Sequence, residues 1–67
     1  MVKARELLVH AGILVAQQAR LEVARQNLAR IKPLAEQNAL SQKDLDDAVG
    51  QERTAAAAVE AAKAKVI

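Results

Sequence analysis

The sequence contains no cysteine, tryptophan, tyrosine or phenylalanine, and its 67 residues include only one proline and two glycines. Without cysteine there is no disulfide to staple a small fold and no thiolate to hold a metal, and the redox compartment stays open. Without aromatic rings the chain lacks the side chains that each bury the most surface. A lone core of this length is marginal even when it has those aids. Self-association, or membership of a larger protein, is therefore expected. Charge of one sign is also scarce: the formal net charge is +2, with acids and bases interspersed. That pattern fits a solvated helical surface and not the clustered Lys/Arg face of a nucleic-acid binder. No apolar run reaches the ~20 residues that span a bilayer, so no direct membrane span is expected. Leu7 to Ala16 follows Lys3 and Arg5 somewhat as a secretory signal does, but Glu6, His10 and Gly12 interrupt it. The helical pattern then runs straight on into Gln17, so the stretch is read as helix.

What remains is mostly Ala, Leu, Val, Gln, Glu, Lys and Arg, which are largely strong helix formers. Leu7, Leu14, Leu21 and Leu28 recur every seven residues, with Ala11, Ala24, Ile31 and Ala35 on the same side. A seven-residue repeat is the seam of a coiled coil. Gln17 and Gln18 mark a weaker layer in it. A second, looser apolar line of Val2, Val9, Ile13, Ala16 and Val23 gives the first half a further greasy side. Pro33 lacks the N–H that would bond the Ala29 carbonyl, so a bend is expected near the end of this helix, with a break and fresh start as the alternative.

The pattern halts near Gln37 to Leu40, and Ser41 follows as a helix N-cap, its hydroxyl placed to accept from the Asp44 N–H. Asp44 stands where the acid of a capping box belongs. Asp44, Asp46 and Asp47 crowd the first turns of the second helix, near the positive end of its dipole. That helix carries Leu45, Val49, Ala56, Val59 and Val66 on one face, with Ala48, Ala55 and Ala62 beside them. Lys43–Asp47, Glu60–Lys63 and Glu22–Arg25 are spaced as acid–base pairs along a helix. A short turn between helices makes them antiparallel neighbours. The expectation is all-α: one domain, 1–67, an antiparallel two-helix coiled-coil hairpin with helix 1 about 2–37, a turn about 38–40 and helix 2 about 41–66. Folding about that turn leaves residues 1–11 overhanging, with Leu7, Leu8 and Val9 unpaired. From this exposed end a homodimer, as a four-helix bundle, is expected.

Nothing along the chain assembles a catalytic or metal centre. His10 is the one imidazole, with Glu6 a turn earlier, and is read as an ordinary surface histidine because no cysteine or second histidine completes a ligand set. The three aspartates lack the spacing of a calcium loop, and the two glycines stand apart rather than forming a phosphate loop. No enzyme, no metal and no cofactor is expected.

The phrase LARIKPLAEQNALSQKDLDDAV, Leu28 to Val49, and the alanine-rich flank TAAAAVEAAKAKV carry a family resemblance. From about Arg20 to Val66 the chain resembles the α-helical coiled-coil hairpin of periplasmic adaptor proteins, the membrane fusion proteins of bacterial tripartite efflux and secretion pumps. The tip motif of that family, an arginine, a leucine four residues on and a serine seven further, falls on Arg30, Leu34 and Ser41. The resemblance implies a tip that docks onto a TolC-type outer-membrane channel, other adaptor protomers as neighbours, a periplasmic parent protein, and a role in export of small molecules. It does not extend well over residues 1–19. The lipoyl, β-barrel and membrane-proximal domains of such adaptors have no room in 67 residues, so a hairpin piece of a larger protein is expected. Two bland readings stand beside it. One is a Rop-like dimeric hairpin binding RNA, against which the missing aromatics and basic stripe count, so that no nucleic acid is expected. The other is a purely structural coiled-coil fragment.

Overall fold

The computed structural model describes residues 2–66, and the side chains of residues 4–65. Its elements are two helices, α1 (Val2–Glu36) and α2 (Gln42–Val66), packed side by side as a hairpin, with no strand among the described residues. The all-α hairpin read from the sequence is the fold. Its overall dimensions are 56 × 13 × 12 Å. At ~1.5 Å per residue, α1 alone accounts for that length. With 35 residues against 25, α1 outruns α2 by ten, and Leu7, Leu8 and Val9 stand exposed at the uncovered end.

The seam follows the seven-residue repeat. On α1, Leu14, Leu21, Leu28 and Ala35 alternate with His10, Gln17, Ala24 and Ile31, and every one of these is buried or half-buried. On α2, Leu45, Ala48, Ala55, Val59 and Ala62 form the facing row. Leu21, Ala48, Val59 and Ala62 are the most enclosed. Alanine removes bulk along this seam, which allows helix axes to approach closely.

Two polar layers interrupt it. Gln17 is the one of the two neighbouring glutamines that turns inward, and Gln18 stays exposed. On α2, Glu52 occupies the seam position between Leu45 and Val59, half-buried. Its carboxylate lies 3.8 Å from Arg25 Nε across the hairpin. Arg25 therefore does not pair with Glu22, the partner that spacing along α1 offered. Glu22 instead accepts a hydrogen bond from Gln26 at 3.2 Å. The other two expected pairs form, Lys43–Asp47 at 2.8 Å and Glu60–Lys63 at 3.5 Å. His10 is half-buried rather than a surface residue, beside Ile13, Gln17 and Ala62 at the open end of the seam.

Pro33 lies inside α1, and the helix continues through it to Glu36 without a break. Its own carbonyl is used: the Gln37 N–H donates to it at 3.1 Å. The fresh start weighed for Pro33 does not occur. Gly50 sits within α2, where a Cβ would meet nothing, so the glycine answers to no crowding in the hairpin.

Candidate functional site

The apex is built by two caps back to back. α1 closes in a Schellman motif: Asn38 takes φ = 59°, its N–H donates to the Ala35 carbonyl at 3.0 Å, and the Ala39 N–H donates to the Leu34 carbonyl at 2.8 Å. Those bonds satisfy carbonyls that the end of a helix otherwise leaves free. Asparagine is one of the few residues besides glycine that enters the left-handed region readily. Three residues on, the Asp44 N–H donates to Ser41 Oγ at 3.1 Å, and the Ser41 hydroxyl donates to the Asp44 carboxylate at 2.9 Å. This differs from the usual capping box, in which the acid accepts from the backbone N–H of the cap residue. Asp is one methylene shorter than Glu, and here it meets the hydroxyl instead. The Leu45 N–H completes the first turn by donating to the Ser41 carbonyl at 3.3 Å.

Arg30 and Leu34 stand one turn apart near the end of α1, and Ser41 opens α2 on the other side of the turn. All three are exposed, Leu34 by 43%. A leucine this open at the apex does little to close the hairpin beneath it, whereas Leu40, in the turn, is half-buried. The Ser41 hydroxyl is engaged as donor and as acceptor within its own cap, leaving one lone pair outward. Around these residues the apex mixes charges: Arg30, Lys32 and Lys43 against Glu36, Asp44, Asp46 and Asp47. The Lys43 ammonium titrates above its ordinary value, chiefly through its hydrogen bond to Asp47 and then through that carboxylate's charge; desolvation opposes, and the charge of Asp44 adds least. Gln42 donates to Asp46 at 2.9 Å on the same first turns. The apex is thus a hydrogen-bonded loop presenting one arginine and one leucine. Asn38 lies in the turn expected at about 38–40, but its part in closing α1 through a positive φ was not read from the sequence.

Among the described residues no three His, Cys, Asp or Glu side chains gather as a metal set. Nor is any described helix long and apolar enough to cross a membrane. Residues 6–67 match the family described as RND MFP, alpha-helical hairpin domain. The chain belongs to that family. RND membrane fusion proteins are adaptors of efflux and transport, a non-enzymatic kind of protein with a periplasmic parent. The match begins at residue 6, so it takes in most of residues 1–19, where the sequence resemblance had been weak. Comparison with curated proteins and with solved structures returned no match.

Proposed function

We propose that this adaptor hairpin docks by its apex onto the periplasmic end of a TolC-type outer-membrane channel, beside further adaptor protomers, in a tripartite efflux pump. The observation that carries the reading is the exposure of Arg30 and Leu34 side by side on an apex whose backbone is held by caps on both helices. A docking surface that is already ordered loses little conformational entropy on binding. Arg30 supplies a planar, permanently charged donor suited to the carbonyls and carboxylates at a partner's helix ends. Leu34 supplies the apolar contact beside it. Ser41 contributes mainly by holding the first turn of α2 in place, with its remaining lone pair available to a partner donor.

The test is capture of a TolC-type channel by the immobilised hairpin, compared with Arg30→Asp. Reversing that charge is expected to weaken capture by about tenfold or more, since it replaces an attractive contact with a repulsive one. Capture by the Arg30→Asp chain equal to that of the original sequence overturns the proposal. Ser41→Ala separates docking from capping: the substitution is expected to destabilise α2 by ~1 kcal/mol, whatever the partner does.

A further inference from the structure

We propose that the backbone carbonyl of Ala29 is a further docking contact beside the apex, an acceptor that Pro33 leaves open for an uncharged donor on the channel. The proposal rests on the reading of the apex as the docking end, and adds to it the chemistry of the group it meets.

In an α-helix each carbonyl accepts from the N–H four residues on. Pro33 has no N–H, so the Ala29 carbonyl loses its helical donor. α1 nevertheless runs through Pro33 to Glu36, which keeps that carbonyl within a continuous helix close to the apex. No side chain takes the place of the missing donor: none of the side-chain hydrogen bonds among the described residues ends on Ala29. Ala29 and Pro33 are both exposed, and the single methyl group of Ala29 does little to screen the oxygen.

The hairpin itself has no use for a proline here. Proline is the least favourable residue in a helix interior. The end of α1 is closed by the Asn38 and Ala39 N–H groups on the Ala35 and Leu34 carbonyls, and Pro33 contributes only its own carbonyl, to the Gln37 N–H. Any residue supplies that carbonyl. The seam beneath is held by Leu28, Ile31 and Ala35, while the proline ring stays outside it. What proline alone supplies is the open acceptor four residues earlier.

That acceptor has a neighbour of the opposite kind. Arg30 follows Ala29 directly, is exposed, and makes no ion pair among the described residues. Its guanidinium offers donors only. A cationic donor for the Ala29 carbonyl is disfavoured so close to that charge. A carboxamide carries both complements in one planar group: its oxygen accepts from the guanidinium, and its N–H donates to the carbonyl. The group on the channel is therefore an asparagine or glutamine side chain.

Two measurements on the full chain with a TolC-type channel test this. Pro33→Ala gives the Ala29 carbonyl a donor within the helix. It is expected to raise the melting temperature of the hairpin and yet to weaken capture of the channel by about two- to tenfold, as the loss of one hydrogen bond does. Capture by Pro33→Ala equal to or stronger than that of the original chain overturns the proposal. The infrared amide band of an isotope-labelled Ala29 carbonyl separates the hydrogen bond from any change of bend at Pro33. It is expected to shift when the channel binds the original chain and to stay in place when the channel binds Pro33→Ala. An unshifted band in the original chain overturns this contact and leaves docking through Arg30 and Leu34 standing. Failure of the original chain to capture the channel removes the docking reading itself, and this contact with it.

Discussion

At the scale of single residues, the hairpin depends on a few positions where backbone geometry leaves little choice. Asn38 is the clearest. Its φ of 59° is open to asparagine and glycine, but a β-branched residue is strained there by ~1–2 kcal/mol. Asn38→Val is therefore expected to lower stability by about that amount in urea unfolding, while Asn38→Gly stays within a few tenths of a kcal/mol of the original. Equal stability of the valine and glycine variants would show that the turn relaxes into another geometry. Lys43 gives a prediction in pH. Its folded value lies above the ordinary one, so any stabilisation from its contact with Asp47 is complete below the ordinary lysine range and fades as pH rises through the raised value. Lys43→Gln is thus expected to show the same small deficit from pH 7 to 9 and to converge with the original chain only in strongly alkaline solution. The group is fully exposed, which keeps that deficit small.

At the scale of the helices, the repeats of leucine and alanine were legible because a seven-residue period leaves few alternatives to a packed stripe. The apex residues were placed at the turn for the same reason, since the period stops there. Glu52 was not legible. A glutamate in an alanine-rich helix reads as solvated surface, and only the register of α2 against α1 brings it to the seam. Arg25 was misassigned on similar grounds, because Glu22 three residues away offered a local partner and the competitor across the hairpin could not be seen. Asn38 suits any turn, and its φ is settled by the bonds around it. The Glu52 carboxylate is 24% exposed and its partner 60%, at 3.8 Å, a geometry that contributes at most ~1 kcal/mol. Glu52→Leu restores the apolar repeat. It is expected to raise stability by ~1 kcal/mol, as replacing a partly buried ion pair by apolar contact often does. A lower melting temperature for Glu52→Leu would show that the pair holds the register of the seam.

At the scale of the whole molecule, the fold is a narrow rod with little interior. Only four described apolar residues are buried, Leu21, Ala48, Val59 and Ala62, and none of the described polar or charged side chains is. Such a molecule takes its stability from one continuous seam, not from a central core, and each helix still has a side to offer. That is the form an adaptor element needs, since the surfaces that meet other proteins are the helices themselves. Membership of the membrane fusion hairpin family accounts for the shape.

The unequal helices give the rod a direction in time as well as in space. Near the turn, backbone amides sit in two packed helices and behind two caps, so they open only when much of the seam opens. From Ala4 to Val9 the amides belong to α1 beyond the reach of α2 and depend on one helix alone. Hydrogen exchange in a dilute solution is therefore expected to run as a gradient, fastest from Ala4 to Val9 and slowest around Leu21 and Val59. Unfolding of the isolated hairpin then starts at the open end and reaches the apex last.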